Sequence, residues 1–449
     1  MNEIASVFAL WFIYVLSRCH QHADSLFSTS SGFTNYRGML NLCGILLALS
    51  MGRVALENII KYGILIDPIQ WLQVFLSHPY SWPSVCIVIS LNIFIFCSFY
   101  IECLLSKGSL SESSGSYLHI INLSVEVTLP AALVLHIHPN PCFSSPALGI
   151  CVIVFLKLIS YVQVNRWCRL HLARGKARSK RLRRTSLSSD RLENKNCSEA
   201  IPAQKLTQYP NNLNLEDLFY FLFAPTLCYQ LNFPRSVRIR KRFLLKRLIE
   251  MVFLSGLMLA LIQQWIIPIV QNSTILLQRA DLGRILERLL KLAVPNLFIW
   301  VAFFYWFFHS CLNTSAELLQ FGDRVFYRDW WNAENVSTFW QNWNIPVHKW
   351  ASRHVYKPML GAGFSNMQAS VSVFLISAFF HEYLVSIPLQ MFRLWAFSAM
   401  LMQVPLAMFS AKYFSGQVGN IIMWLSLIIG QPVAILMYYH DYYVQHVLT

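Results

Sequence analysis

Long apolar runs separated by short polar connections dominate the chain. Nine of them lie near residues 39–62, 84–104, 116–136, 147–164, 249–271, 289–311, 371–390, 392–414 and 418–440. Each has roughly the 17–25 residues that a bilayer demands of a helix. The pattern predicts an all-α multispanning membrane protein with about nine transmembrane helices. Residues 4–16 are apolar too, but too short to span and without a basic n-region. They read as an interfacial anchor or an unusual start. Several spans carry charges: Arg53, Glu57 and Lys61 at i, i+4 spacing on the first, His119 and Glu126 on the third. Such groups turn towards protein or a wet cavity, so a bundle with an internal polar chamber is expected.

Composition agrees. Hydrophobic residues make up 55% of the chain and charged residues 13%, where a soluble protein carries about 25% charged. The net charge of +15 must then be concentrated. Most of it lies between the fourth and fifth spans, in residues 165–248. Arg166 to Lys195 holds eleven Lys/Arg against two acids, with many serines, and is expected to be disordered. Arg238-Ile239-Arg240-Lys241-Arg242 closes the segment before an apolar run, which marks a cytosolic side. Beside a membrane helix such charge attracts anionic lipid, not nucleic acid. Counting outward places the N-terminus and residues 312–370 in the cytosol and residues 137–146 and 272–288 in the lumen. Asn272-Ser273-Thr274 would be a luminal acceptor sequon. The organisation is thus residues 1–38 as a cytosolic N-terminal segment, 39–164 as four helices, 165–248 as a basic loop leading into an amphipathic helix, and 249–449 as the core. Eleven cysteines without CxxC spacing read as buried apolar residues, and no metal-ligand spacing is seen.

Two stretches carry chemistry. Residues 326–350, FYRDWWNAENVSTFWQNWNIPVHKW, interleave five tryptophans with Asp329, Asn332, Gln341, Asn342, Asn344 and His348. Rings that are apolar at one end and wet at the other suit a membrane surface or a ligand cleft. The seventh span, VSVFLISAFFHEYLVSIPLQ, buries His381 and Glu382 in an apolar run. His381 lies about 15 Å along the helix, near the middle of a core about 30 Å thick. Such a histidine is either a satisfied packing residue or functional. Ser377, four residues earlier on the same face, could hydrogen-bond the imidazole and select its tautomer. Glu382 points about 100° away, towards a partner on another helix.

Phe326-Tyr327-Arg328-Asp329-Trp330-Trp331-Asn332 matches the FYxDWWN signature of the membrane-bound O-acyltransferases that esterify sterols and diacylglycerol with acyl-CoA. The chain most resembles the acyl-CoA:diacylglycerol acyltransferase branch, over nearly its whole length. Asp24–Gly38, Glu57–Gln70, Tyr220–Leu245, Trp306–Asp323 and Ser377–Phe397 carry the resemblance beside the signature. It implies nine helices around a tunnel, assembly as a homodimer or homotetramer through the N-terminal region, and residence in the endoplasmic reticulum membrane. It implies that His381 and Asn344 are the catalytic pair. It also implies that Trp340, Gln341, Asn342, Trp343, Asn344, Ile345, Pro346, Val347, His348 and Tyr356 line the acyl-CoA site. Ser377, Glu382, Met400 and Gln431 would line the reaction chamber. Met400 otherwise reads as packing, and Gln431, before Pro432, as a helix-kink hydrogen bond. Relatives carry basic residues in the loop after Tyr-Lys-Pro. Here it reads Gly361-Ala362-Gly363-Phe364-Ser365-Asn366, which leaves Arg353, His354 and Lys357 as nearby cations for the CoA phosphates.

The chemistry so implied needs no cofactor; acyl-CoA is a co-substrate. The thioester is already activated, because a thiol of pKa about 8.5 leaves readily. His381 would be general base on the sn-3 hydroxyl of diacylglycerol, and Asn344 would donate to the oxyanion. No GxSxG elbow is present for a serine acyl-enzyme. The alternatives are acylation of a sterol, long-chain alcohol or retinol, and, in a different class, an inactive lipid transporter or scaffold. The intact Asn344 and His381, and the absence of repeated halves, speak against the latter.

Overall fold

The computed structural model describes residues 24–26, 35, 37–50, 53–70, 73, 82–185, 207–271 and 282–447. The apolar stretch 4–16, the Asn272 sequon and residues 186–195 of the basic segment lie outside them. Fourteen helices suffice to describe the fold here: α1 (Arg37–Ser50), α2 (Arg53–Tyr62), α3 (Trp82–Lys107), α4 (Glu112–Ile137), α5 (Pro141–Thr185), α6 (Leu215–Phe223), α7 (Lys241–Leu261), α8 (Leu282–Phe304), α9 (Val336–Trp343), α10 (Ile345–Ala351), α11 (Asn366–Leu389), α12 (Trp395–Leu401), α13 (Gln403–Tyr413) and α14 (Gly416–Val447). Three of them, α7, α8 and α10, run on through π-helical turns at Ile262–Ile266, Tyr305–Cys311 and Ser352–Tyr356.

Seven helices among the described residues, not nine, are long and apolar enough to cross a membrane: those of α3, α4, α5, α7, α8, α11 and α14. The eighth apolar run fails for a local reason. The run 392–414 breaks at Met402 into α12 and α13. Pro405 lacks an N–H and its ring collides with the carbonyl four residues back, that of Leu401, where α12 ends. In the run 39–62, α1 and α2 lie on either side of residues 51–52, which are outside the described residues. The basic segment also departs from expectation. Residues 166–185 continue α5 as helix rather than disordered chain. Residues 207–233 are no loop over a surface: Leu218, Phe221 and Tyr229 are fully buried against Leu158 and Tyr161 of α5.

Buried charge ties these layers together. Lys157 of α5 donates to the carbonyls of Phe221 (2.9 Å), Leu222 (2.7 Å) and Ala224 (2.7 Å). Those are among the carbonyls that the end of α6 leaves without intrahelical partners, and a cation there also suits the helix dipole. Glu102 of α3 pairs with His119 of α4 (3.1 Å) and with Arg169 of α5, which reaches Glu112 at 2.8 Å. Glu317, buried beyond α8, binds Arg240 and Arg324. So Arg240, itself exposed, is the member of the 238–242 cluster that pairs with a buried carboxylate.

Glu126 of α4 is the exception. It is fully buried and neither carboxyl oxygen has a hydrogen-bond partner among the described residues. Lys157→Met is expected to destabilise by about 3 kcal/mol, because it strips three carbonyls of a charged donor. Glu126→Leu is expected to stabilise by about 1–3 kcal/mol, because it removes an unpartnered buried acid. Thermal midpoints of the detergent-solubilised variants decide it. A lower midpoint for Glu126→Leu would mean that the carboxyl has a partner in the bilayer.

Candidate active site

The rings of the FYRDWWN stretch form core rather than a surface helix, while Arg328 stays exposed. Trp330 and Trp331 have no exposed surface, and Phe326 and Tyr327 almost none. Trp330 is ringed by Phe304 (4.8 Å between centroids), Trp300 (5.3 Å), Trp424 (5.5 Å), Trp331 (5.6 Å), Trp343 (5.6 Å) and Phe339 (5.9 Å). Trp300 of α8 stacks on Trp343 of α9 at 4.6 Å and 9°. Residues from α8, α9 and α14 thereby meet at one indole.

The backbone of the same stretch fixes Asn344. The Arg328 N–H donates to the Asn342 carbonyl at 2.9 Å, and the Ile345 N–H donates to the Phe326 carbonyl at 3.0 Å. These two bonds straddle Asn344 in the joint between α9 and α10. Its Oδ1 accepts from the Val347 N–H at 3.2 Å and caps α10, with Pro346 in the first turn. With Oδ1 committed, the Nδ2 amide remains as a donor. Gln341 and His348 flank it with exposed side chains, as does Val347. Surrounding protein, and secondarily the Arg328 guanidinium, hold the His348 imidazole below its ordinary pKa.

The N-terminal segment locks the signature from behind. Asn332 accepts from the Gly38 N–H and donates to the Asn35 carbonyl, and the Trp331 indole also points to that carbonyl (3.5 Å). Tyr327 shares a 2.8 Å hydrogen bond with His309 Nδ1, and the Ser25 hydroxyl lies 3.4 Å from both. His309 sits in the π turn that continues α8, a kind of turn frequent at functional sites.

α11 presents three faces. Phe380 and Tyr383 pack towards α5 and α4: Phe380 lies 5.6 Å from Phe155, and the Tyr383 hydroxyl donates to the Val127 carbonyl at 2.8 Å. Glu382 faces the C-terminal helices. It accepts from Ser386, from the Leu394 and Phe397 N–H groups at 2.9 Å each, and from Tyr438 of α14 at 2.9 Å. It caps α12, and all its capacity goes there. These bonds tie the start of α12 to α11 and α14. The third face carries Phe374, Ser377 and His381. Phe374 meets Trp340 of α9 at 6.4 Å, so this face looks towards the signature. His381 is exposed on it. Its Nδ1 lies 2.8 Å from the Ser377 carbonyl and 3.4 Å from the Ser377 hydroxyl. Nδ1–H must donate to that carbonyl, since a carbonyl only accepts. The other nitrogen, Nε2, is then an open acceptor, the form a general base requires. The selecting atom is the backbone oxygen of Ser377 rather than its hydroxyl.

The sequence pattern of MBOAT, the membrane-bound O-acyltransferase family, matches residues 114–440. The chain belongs to the membrane-bound O-acyltransferase family. Among its relatives are the diacylglycerol O-acyltransferase 1 of Homo sapiens, 58% identical over 95% of this chain and 84% of that protein, and that of Chlorocebus aethiops, 57% identical over the same shares. The diacylglycerol O-acyltransferase 1C of Glycine max is 38% identical over 93% of this chain and 77% of its own length.

Within this acyltransferase the other expected site residues divide. Trp340 is half-buried and its indole N–H points to Gln403 Oε1 at 3.4 Å. Gln431 pairs with Asn296 at 3.0 Å rather than with its own helix. Met400 is buried packing. Tyr356 is half-buried in the π turn after α10, its hydroxyl 3.4 Å from Asn366. The cations proposed for the CoA phosphates mostly fail. Arg353 is buried, donating to the Tyr229 carbonyl at 3.1 Å. His354 is buried between Ser160 and Gln163, 2.8 Å from each, and stacks on Trp167. Burial, with Arg353 behind it, holds its imidazole well below the ordinary range. Lys357 is half-buried, and Arg328 is exposed beside Asn342. Sequence reasoning passed over Asn296, His309 and Gln403. Each is a polar residue inside an apolar run, the one signal that could have flagged it.

Gly38 has a steric duty. A Cβ there would strike the Trp331 carbonyl oxygen. Gly38→Ala is expected to cut the yield of monodisperse protein several-fold, read by fluorescence-detected size exclusion. Gly44→Ala, whose Cβ would meet nothing within 4 Å, should be neutral.

Proposed function

We propose that this chain transfers an acyl group from acyl-CoA to the free hydroxyl of 1,2-diacylglycerol, making triacylglycerol. The single observation behind the reaction is the His381 arrangement: an exposed imidazole at mid-helix, on the face turned to the signature, with Nδ1 spent on the Ser377 carbonyl. The identity with diacylglycerol O-acyltransferases 1 supports the choice of acceptor.

In this reading His381 Nε2 takes the hydroxyl proton as the oxygen attacks the thioester carbonyl. The Asn344 Nδ2 donates to the oxyanion as it forms. The tetrahedral intermediate collapses, the C–S bond breaks, and CoA leaves as thiolate, which the imidazolium protonates. The ester and free CoA result, and the protein is unchanged. Exposed polar side chains from Arg328, Gln341 and His348 offer CoA its contacts in place of a basic 361–370 loop. The seat of the enzyme is the endoplasmic reticulum membrane, and it works as a homo-oligomer.

His381→Ala is expected to abolish triacylglycerol formation from labelled oleoyl-CoA and 1,2-dioleoylglycerol in nanodiscs, while oleoyl-CoA still binds. Near-normal turnover of the folded variant would remove His381 from the mechanism. Asn344→Ala should lower kcat by about 100-fold or more, as losing one oxyanion donor does. A rise in KM for acyl-CoA alone would instead make Asn344 a binding residue. Cholesterol, hexadecanol and retinol offered separately test the acceptor: a faster sterol reaction would overturn the assignment.

A further inference from the structure

α5 is the element against which the helices of both reacting groups are placed. Phe155 of α5 packs on Phe380, the residue before His381, with centroids 5.6 Å apart. Successive turns of the same helix hold α10. The Trp350 indole N–H donates to the Leu156 carbonyl at 2.8 Å. One turn further along both helices, His354 Nε2 lies 2.8 Å from the Ser160 hydroxyl. Asn344 is the N-cap of α10, and His354 sits ten residues on, about 15 Å along the same continuous helix. The turn at that end is π-helical, and there two consecutive residues, Arg353 and His354, are both buried. The turn also touches α11. The imidazole stands between two indoles, Trp167 of α5 (5.6 Å, 6°) and Trp350 (5.8 Å, 44°).

The donors in this contact have one consistent assignment. Gln163 Oε1 only accepts, so His354 Nδ1, 2.8 Å away, carries the proton. Nε2 of the neutral ring then accepts, and the Ser160 hydroxyl donates to it. The Ser160 oxygen in turn accepts from the Tyr229 N–H at 2.8 Å, and the Tyr229 carbonyl accepts from Arg353 at 3.1 Å. Neither Ser160 nor His354 is open to substrate, since both are buried. We propose that the Ser160–His354 hydrogen bond is a positioning device of the transferase: by pinning the far end of α10 to α5, it sets where Asn344 presents its Nδ2 relative to His381. This rests on the reading of Asn344 and His381 as the reacting residues. A rigid helix carries such a constraint from one end to the other. A misplacement of about 1 Å costs on the order of 100-fold in rate, so a bond at the other end of α10 reaches the chemistry.

The test is a double-mutant cycle on kcat with Asn344→Ala, in nanodiscs with oleoyl-CoA and 1,2-dioleoylglycerol. Folded protein is quantified by size exclusion before each assay. Ser160→Ala removes the hydroxyl. His354→Phe keeps a ring between the indoles but neither hydrogen bond. Each is expected to lower kcat by about tenfold or more, with KM for oleoyl-CoA within about threefold of wild type. In the Asn344→Ala background the same changes should cost less than about twofold, because the donor they position is gone. His354→Gln, whose amide oxygen can accept from Ser160, should retain most of kcat. Gln163→Met, at a half-buried site, serves where the buried variants do not fold. It releases the His354 ring and should show a smaller loss with the same non-additivity. Losses that multiply across the cycle overturn the proposal, since the bond would then support the fold and not Asn344. Wild-type kcat in folded Ser160→Ala or Gln163→Met overturns it too. If Asn344→Ala alone leaves kcat unchanged, the reading of Asn344 itself falls, and this proposal with it.

Discussion

Trp330 is the residue on which the arrangement depends. Its indole is wholly buried and meets rings from α8, α9 and α14. Its Nε1–H has no acceptor among the described residues, and neither has that of Trp424. Packing therefore holds this junction, not hydrogen bonding. Inside a membrane the hydrophobic effect does not favour helix association, because lipid is as apolar as a side chain; close contact between large rigid rings takes its place. Aromatic pairs in offset and edge-to-face geometry add about 0.5–1.5 kcal/mol each beyond area. They also fix orientation, and the orientation passes to Asn344 through two backbone hydrogen bonds.

The polar groups divide the work. Lys157, Glu317 and Glu382 are saturated and hold irregular backbone in place: the end of α6, the approach to α7 and the start of α12. Non-helical backbone at membrane depth survives only where protein satisfies it. His381, Asn344 and Gln431 are each half-satisfied, with one polar atom committed and another open. That state is costly in an apolar interior unless a ligand or water completes it. Glu382 and His381, adjacent in sequence, fall into opposite groups because a helix turns them about 100° apart.

Much of this was legible in the chain. The seven spans found here all lie in predicted runs, because a hydrophobic stretch of bilayer length needs no tertiary information. The perpendicular relation of Glu382 to His381, and its partner on another helix, followed from helix geometry alone. Three readings failed where neighbours decide. The tryptophan-rich stretch suited a membrane surface or a ligand cleft, since its polar residues alternate with its rings; the surface reading failed, because the 3-10 turn at Trp330–Asn332 turns both of its indoles inward. Residues 166–185 looked disordered by composition, but α5 was already nucleated upstream and only had to propagate. Arg353 and His354 looked available to phosphate, but α5 and the Tyr229 loop bury them.

Sequence by itself determined the medium, the helical class and the family. These depend on local composition and on a short motif, and both survive without knowing what packs where. Tertiary structure alone decided which nitrogen of His381 stays open, which amide atom of Asn344 remains to donate, and which of the buried charges are supports. It alone brought Asn296 to Gln431 across 135 positions of chain. Such assignments are properties of pairs, and a side chain's hydrogen-bonding capacity is known only once its partners have taken their share.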